Sequence, residues 1–465
     1  MNSSTSPLDL NLGRPRRIHM IGIAGAGMEP LACLLQQAGH DVQGSDLNDG
    51  SAIRSLGDRG IQVWTGSHDA ERVSGAELVV FSAAVDGTNP ELKAAHGMCV
   101  PACTRAELLG WFSRQRPMIA VAGTHGKTTT SSMIVSVARA AGEEPGVVIG
   151  GWQAGGSQAA TGTDELLVAE ADEFDRSFLH LHPLGAVVTN IEADHHDTYA
   201  NDAAIDGAFA TFLGQTQQWV VTHDNARCLR ATEGISAAVD LCGLNPNATV
   251  QLEDVTIEAS HCRLQVRVDG VTRPPLQLAA RGRHNVDNAM TVVGVAERMG
   301  WDWDAVSHGL AQFGGVDRRL QSRGQIDGTL VIDDYAHHPT EVTAAINWAR
   351  STSRRVVAVF QPHLYSRTQH LAREFCAALS LADEVWICGI YAAREEPIPG
   401  VSSRLLTSML QAQGLEAQDV TDPGVAIEAA LQGCGEDDLL LAMGAGDISD
   451  RLGEVLASHC VAEAV

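Results

Sequence analysis

Residues 120–132 read AVAGTHGKTTTSS, and the fold of the chain turns on how this stretch is read. The run MIAVAG leading into it is apolar, unbroken and of strand length. The run TTSSMIVSVARAAG that follows spaces its apolar residues as a helix does. Between them lies a Gly- and Thr-rich turn containing Lys127, one of only two lysines (with Lys93) among 32 basic residues. Backbone N–H groups at a helix N-terminus attract an anion, and glycines let a phosphate come close. A lysine there reaches β- and γ-phosphates, and the next threonine can hold Mg²⁺. An ammonium is a compact charge on a flexible stem, whereas a guanidinium is a wide planar fork. A tight phosphate cradle therefore explains why this position keeps lysine in a chain that otherwise uses arginine. The stretch departs from the strict G-x-x-x-x-G-K-T form, because Val121 stands at the first glycine position and Gly123 lies two residues later.

Two acidic segments follow strand-like runs further on: ELLVAEADEFDRSF and GAVVTNIEADHHDTY. In a parallel sheet, ligands collect at the carboxyl ends of the strands. Glu170, Asp172, Glu173, Glu192, Asp194 and His195 are thus expected beside the lysine turn, as Mg²⁺ ligands or a clamp on water or substrate. The stretch 248–278 alternates with period two, which predicts a small antiparallel sheet, and NVDNAMTVVGVAERMG then predicts a helix.

On either side of this block the chain alternates strand and helix, the mark of parallel α/β sheets. The first block opens RIHMIGIAGAGMEPLACLLQQAGHDVQGSD. Its GIAGAG resembles a dinucleotide fingerprint, with Gly22 and Gly27 in place but Ala24 at the middle glycine. Asp46 sits where a ribose-binding acid would lie, so the turn suits NAD or another nucleotide diphosphate. The third block, after GVDRRLQSRG, carries DDYAHHPTE at a strand exit. No cysteine or third histidine has zinc-like spacing there, which favours contacts to a ribose or a carboxylate. Arg318, Arg319 and Arg367 are candidate cations for phosphate or carboxylate.

Composition narrows the class. Of 465 residues 45% are hydrophobic, enough for several cores, and the expected domain count is two to four. No run approaches the roughly 20 apolar residues that span a bilayer, and the N-terminus lacks a signal-peptide pattern; a soluble, cytoplasmic protein without membrane insertion is expected. The formal charge of −25 argues against nucleic acid as a partner. Ten scattered cysteines, none in a CxxC, read as reduced thiols.

AGTHGKTTT, EADEFDRSFL, VTNIEADHHDTY, GRHNVDNA, FGGVDRRLQ, DDYAHHPTE, FQPHLYSRT and GAGDI occur in the order found in Mur ligases, and the chain resembles that family over nearly its whole length. The resemblance implies an α/β protein of three domains: an N-terminal Rossmann-like domain for a UDP sugar (1–116), a central P-loop ATP-binding domain (117–322) and a C-terminal Rossmann-like domain receiving an amino acid (323–465). It is strongest to the branch that joins L-alanine to UDP-N-acetylmuramate, with ATP activating the sugar's lactyl carboxylate as an acyl phosphate, in peptidoglycan precursor synthesis. ATP and Mg²⁺ are the implied cofactors, and a monomer or homodimer the implied assembly. Carried over to this sequence, Gly123, Thr124, His125, Gly126, Lys127, Thr128 and Thr129 would cradle ATP. Thr128, Glu170 and His195 would serve Mg²⁺. His284 and Asn288 would meet adenine, Asp334 the ribose, and Arg319 a phosphate. Gly22, Gly25, Gly27, Asp46 and Ser82 would hold the UDP sugar, making the first turn a UDP rather than an NAD site. Tyr335, His337 and Arg367 would face the amino acid and the acyl phosphate. Lys127, His195, Arg319, His337 and Arg367 are the candidate catalytic set.

Three departures from the family pattern stand out. Glu29 and Pro30 replace the usual Ser and Gly, which is expected to put an anion near the diphosphate, and Leu364 replaces an arginine near the acceptor site. Two ligase readings compete: a recycling ligase that adds a tripeptide, L-Ala-γ-D-Glu-meso-diaminopimelate, to the same sugar, to which EADEFD leans, and the alanine enzyme, to which QPHLYSRT, IEADHHDTY and GAGDI lean. From other classes come an NAD-dependent oxidoreductase, which leaves the lysine turn unexplained, and a non-catalytic nucleotide-binding regulator, which leaves Lys127, Thr128 and the acidic segments unexplained.

Overall fold

A computed structural model describes residues 10, 12–25, 27–150, 162, 164–192, 198–199, 201–258, 261–393 and 395–462. His195, Asp194 and Arg394 lie outside the described residues. The chain divides into two compact units, one of Met1–Val255, Arg263–Leu278 and Val286–Gly314, the other of Thr256–Cys262, Ala279–Asn285 and Gly315–Val465. No helix among the described residues is long and apolar enough to cross a membrane.

The first unit holds two sheets. One comprises β1 (Arg17–Ile21), β2 (Asp41–Asp46), β3 (Gln62–Thr65), β4 (Leu78–Phe81) and β5 (Ala102–Thr104), in the order β3-β2-β1-β4-β5 and parallel throughout. The winding reverses between β1 and β4, so their carboxyl ends flank a switch point, where such sheets bind ligands. Ile18 and Met20 bury one face of β1 with Leu31 and Leu35 of the helix Met28–Gln37, while Ile21 and Val79 meet Leu92 and Ala95 on the other. The helix Arg105–Gln115 opens with a capping box, Thr104 and Glu107 exchanging hydrogen bonds.

The second sheet comprises β6 (Met118–Ala122), β7 (Gly146–Val148), β8 (Leu167–Glu170), β9 (Gly185–Val188), β10 (Trp219–His223), β11 (Ala238–Gly243), β12 (Val250–Ile257), β13 (Cys262–Val268), β14 (Val271–Thr272) and β15 (Leu276–Leu278). Its order is β14-β13-β12-β11-β10-β9-β6-β8-β7, with β15 on β13. Strand β6 is buried along its whole length, between β8 and β9; a strand covered on both faces needs the unbroken apolar run seen in MIAVA. The period-two stretch does fold into strands, and β13 pairs antiparallel with β14. They do not form a sheet apart: β12 joins the parallel strands through Cys242↔Val250 and Gly243↔Gln251. The helix Lys127–Ala140 follows β6 and packs on the helix Trp303–Ala311 so closely that Ser136 Oγ donates to the Gly309 carbonyl at 2.8 Å.

The second unit is built on β16 (Gln321–Ile326), β17 (Thr329–Asp334), β18 (Arg355–Phe360), β19 (Glu384–Ile387), β20 (Ala417–Asp419) and β21 (Asp438–Met443), ordered β16-β17-β21-β18-β19-β20. All neighbours are parallel except the edge strand β16, which is antiparallel to β17. Apolar clusters cover both faces.

Candidate active site

Because β6 lies between β8 and β9, the segments leaving these three strands share one edge of the sheet. The turn after β6 is clamped to the exit of β9. Asn190 accepts from Thr124 N (3.1 Å) through its carbonyl and from His125 N (2.9 Å) through Oδ1, and it donates from Nδ2 to the His125 carbonyl (3.0 Å). Thr189 Oγ1 also donates to that carbonyl (2.5 Å), and Glu192 N donates to Thr124 Oγ1 (2.9 Å). Two glycines are required by shape. Gly123 has φ +135°, and a Cβ there would lie 2.1 Å from Thr189 Oγ1; Gly126 has φ +81°, and its Cβ would lie 2.6 Å from Asn288 Oδ1. Only glycine adopts such backbone without strain. Gly126 is also the N-cap of the following helix, and no side chain caps it.

Lys127 lies in this cradle with its Nζ donating to the Gly123 carbonyl (2.7 Å) and to Glu173 Oε2 (2.8 Å). Asp172 is 3.8 Å away. Burial alone would lower its pKa, but Glu173, Asp172 and Glu170 raise it, so the charge is fixed. Glu170 ends β8 beside the Thr128 hydroxyl. Burial raises its pKa, and Thr128 and Lys127 pull it back. Its Oε1 is buried with no hydrogen-bond partner among the described residues. An orphaned carboxylate oxygen beside a threonine hydroxyl is a hard oxygen donor set that fits Mg²⁺. The fold therefore gathers Gly123, Thr124, His125, Gly126, Lys127, Thr128, Thr129, Glu170 and Asn288 in one place. Glu173, expected beside the lysine turn, is there; Thr189 and Asn190 belong to the same place and were not among the sequence-derived site residues. Their signal lies in which strands neighbour β6, and periodicity does not reveal that.

The first glycine turn lies at the carboxyl end of β1. Gly22 N and Ile23 N donate to the Ser45 carbonyl (2.8 and 3.1 Å), and Ala24 N donates to Asp46 Oδ2 (3.0 Å). Asp46 Oδ1 accepts from Asn48 N (3.0 Å), so this acid closes its own turn and any ribose contact would share its remaining lone pairs. Gly22 has φ +75°, and a Cβ there would meet Ser82 Cβ at 3.1 Å; a Cβ on Gly27 would meet Arg105 Cδ at 3.0 Å. Gly25 N donates to the Gly22 carbonyl (3.1 Å). Gly22, Gly25, Gly27, Asp46 and Ser82 thus surround one turn. The expected anion at Glu29 is not presented to it: this side chain is buried, with Ser55 and Arg59 as its polar neighbours, and burial raises its pKa.

In the second unit, segments leaving β17 and β18 bring the remaining candidates together. Asp334 Oδ2 accepts from Leu320 N (2.7 Å) and Oδ1 from Ala336 N (2.8 Å); burial pushes its pKa up to about 6 against the pull of Arg319. Arg319 Nη1 donates to Glu341 Oε1 (3.3 Å) and lies over the Tyr335 ring at 5.4 Å. Arg318 and Leu320, on either side of it, both have positive φ, 59° and 47°. His337 Nδ1 meets the Tyr335 carbonyl at 2.9 Å, and burial holds its pKa down to about 4 despite Glu341. Its ring is edge-on to Tyr335 and to His363, which contacts Arg367 Nη1 at 3.4 Å. Leu364 caps the helix Tyr365–His370 with φ 71°, its N–H donating to the Tyr391 carbonyl (2.9 Å). It is half-buried at the strand exit beside Arg367. His284 belongs to this unit, placed against Gly282.

Comparison with known proteins supplies the family. The Mur ligase family, catalytic domain model matches residues 17–117, the Mur ligase middle domain model 121–296, and the Mur ligase, glutamate ligase domain model 318–446. The chain is 41% identical over 445 residues to a UDP-N-acetylmuramate–L-alanine ligase of Acidithiobacillus ferrooxidans, covering 93% of this chain and 96% of that protein. It is 42% identical over 453 residues to the enzyme of that name from Rubrobacter xylanophilus, covering 95% and 100%. The crystal structure of UDP-N-acetylmuramate-alanine ligase MurC from Thermotoga maritima superposes with a TM-score of 0.82 at 27% identity, covering 96% of this chain and all of that one. A murein peptide ligase from Psychrobacter arcticus shares the fold, with a TM-score of 0.72 at 23% identity and coverage of 96% and 98%. With its three sheets, its lysine turn and its acidic strand exits all matched in order, this chain belongs to the Mur ligase family.

Proposed function

We propose that the chain is an ATP-dependent ligase that joins L-alanine to the lactyl carboxylate of UDP-N-acetylmuramate, in peptidoglycan precursor synthesis. What supports the chemistry is the convergence of Lys127, Thr128 and Glu170 on a glycine turn at a helix N-terminus that no side chain caps. What supports the substrates is 41–42% identity, over 93–95% of the chain, to proteins bearing the alanine ligase name. The tripeptide-adding alternative is not favoured, since a structure bearing that name is 27% identical over 66% of the chain, against 41–42% over 93–95% for the alanine ligases. An oxidoreductase is not favoured either, because it has no use for the lysine turn.

A carboxylate is a poor electrophile, so it must first take a phosphoryl group from ATP, and two anions must approach each other. Lys127 offsets that repulsion from within the cradle, and Arg319 is the second candidate cation. Thr128 and Glu170 would hold Mg²⁺, with His195 proposed as a further ligand; the ion would neutralise charge on the transferring phosphoryl group. His284 and Asn288 are proposed for adenine, Asp334 for ribose, and Gly22, Gly25, Gly27, Asp46 and Ser82 for the UDP sugar. Tyr335, His337 and Arg367 are proposed to receive alanine and the acyl phosphate. His337 is neutral at physiological pH. With Nδ1–H donated to the Tyr335 carbonyl, Nε2 is left to accept a proton from the attacking amine. The proposed domains are 1–116, 117–322 and 323–465, and the proposed location is the cytoplasm. The test is ADP release with UDP-N-acetylmuramate and each of several amino acids. Release that depends on the sugar and is greatest with alanine is expected; release with the tripeptide but not with alanine would overturn the assignment.

A further inference from the structure

Glu91 is a fully buried carboxylate in the first unit, on the helix Pro90–Gly97, and no step above uses it. Its Oε2 accepts from Ser45 Oγ at 2.5 Å and contacts His19 Nε2 at 3.1 Å. Its Oε1 accepts from Asp69 N at 3.1 Å, with Arg72 Nη1 at 3.6 Å. His68 Nδ1 lies 3.1 Å from Ser45 Oγ and 3.4 Å from Glu91 Oε2. Despite the burial, these partners hold the carboxyl well down, at about 2, so it is charged at any working pH. Taking a carboxylate out of water costs several kcal/mol, and apolar side chains of similar volume often serve stability as well or better. Stability alone is a weak reason for such a group.

Its position supplies a better one. Ser45 and Asp46 end β2, and between them they hold three successive amides of the first glycine turn: the Ser45 carbonyl takes Gly22 N and Ile23 N, and the Asp46 carboxylate takes Ala24 N. Glu91 accepts from the Ser45 side chain and ties the segment after β3 to it through Asp69. We propose that Glu91 is a positioning residue for the nucleotide-sugar turn, acting through Ser45 on the amides of Gly22 and Ile23. This rests on the reading of that turn as the UDP-sugar site.

The test compares Ser45→Ala and Glu91→Gln with the wild type, by KM for UDP-N-acetylmuramate, KM for ATP, kcat, and calorimetric binding of UDP. Ser45→Ala deletes the link, along with the Ser45 contact to His68, and leaves Glu91 in place; it carries the test if Glu91→Gln fails to fold. The loss of one well-placed hydrogen bond predicts a roughly three- to tenfold rise in sugar KM and in the UDP dissociation constant, with ATP KM and kcat nearly unchanged. Glu91→Asp should recover part of the loss. A folded Ser45→Ala with unchanged sugar KM, or with ATP KM rising in step, would overturn the proposal and leave the network a purely structural role. A wild type whose ADP release ignores the UDP sugar would instead overturn the reading of the turn, and the proposal with it.

Discussion

Two turns in the first unit share one plan and differ in what they do with it. Each follows a buried parallel strand, contains positive-φ glycine (Gly22 in one, Gly123 and Gly126 in the other), and ends in a glycine N-cap that no side chain satisfies, Gly27 in one and Gly126 in the other. At the second turn the first helix amides are left for an anion, whereas at the first Met28 N and Glu29 N donate to the Gly25 carbonyl and Pro30 has no N–H. Around Gly22–Gly27 the neighbouring strand brings an acid, Asp46, which closes the turn onto itself. Around Gly123–Gly126 the neighbours bring Asn190 on one side and Glu170, Asp172 and Glu173 on the other, and the helix begins with Lys127. On the proposed assignments the first turn holds an anion and the second holds one while its charge is redistributed. Strand, turn and helix are common to both; the exits of the adjacent strands make the difference.

The sharpest test of that contrast is Lys127→Arg. The ammonium sits between the Gly123 carbonyl and Glu173 at 2.7 and 2.8 Å, and a planar fork cannot take that place. Turnover is expected to fall by on the order of 10²–10³-fold, the range for removing a group that stabilises transition-state charge. Near-normal ADP release from the arginine variant would mean that any cation suffices.

Alanine at the two N-cap glycines should separate the turns next. At Gly126 a Cβ meets a backbone of φ +81° and the Asn288 amide at 2.6 Å. The left-handed backbone alone costs roughly 1–2 kcal/mol, so kcat/KM for ATP should drop at least tenfold, with partial recovery in Gly126→Ala/Asn288→Ala. At Gly27 φ is −92° and the new methyl meets only the end of the flexible Arg105 side chain, so sugar KM should move less than about threefold. Equal damage at both positions would erase the distinction.

Each turn also has a buried carboxyl whose pKa burial raises, Glu29 beside the first and Glu170 beside the second. A raised carboxyl binds its proton more tightly folded than unfolded. Between the unfolded value near 4.5 and the raised folded value, stability is therefore lost as pH rises. Glu29→Gln and Glu170→Gln should each be at least as stable as the wild type at pH 7.5 without metal, and the gap should close towards pH 4.5 in denaturant titrations. Adding Mg²⁺ with a non-hydrolysable ATP analogue should raise the melting temperature of the wild type and of Glu29→Gln. Glu170→Gln should show little of that rise; an equal rise would remove Glu170 from the metal site.

The smallest effect is expected from making the first turn conform to the family pattern. Glu29 is turned to Ser55 and Arg59, and Ala24 already donates its amide to Asp46. Ala24→Gly/Glu29→Ser should therefore change sugar KM by less than about twofold, because the Glu29 side chain does not face the turn and the residue 24 amide keeps its partner. A larger shift would show that Glu29 reaches the substrate.

The sequence by itself determined a good deal. Unbroken apolar strands alternating with helical spacing require parallel sheets covered on both faces, and GTHGKTT at a strand–helix junction points to an anion site with a cation in it. The acidic and histidine runs are visible as strand exits, because a period-two or apolar run ends just before each. Tertiary structure decided the rest. That β6 lies between β8 and β9 is a fact of topology, and it brings Asn190 and Glu173, distant in sequence, to the lysine turn. The alternating strands after residue 248 announce antiparallel pairing but not that they extend the central sheet through β11 and β12. Glu29 in sequence is an acid in the first turn of a helix near a diphosphate site; which way it points depends on the helix packed against it. Glu91 and Ser45 carry no local signal at all: a carboxylate stays charged in a core only where separate strands and loops converge to satisfy it, and that convergence exists only once the chain has folded.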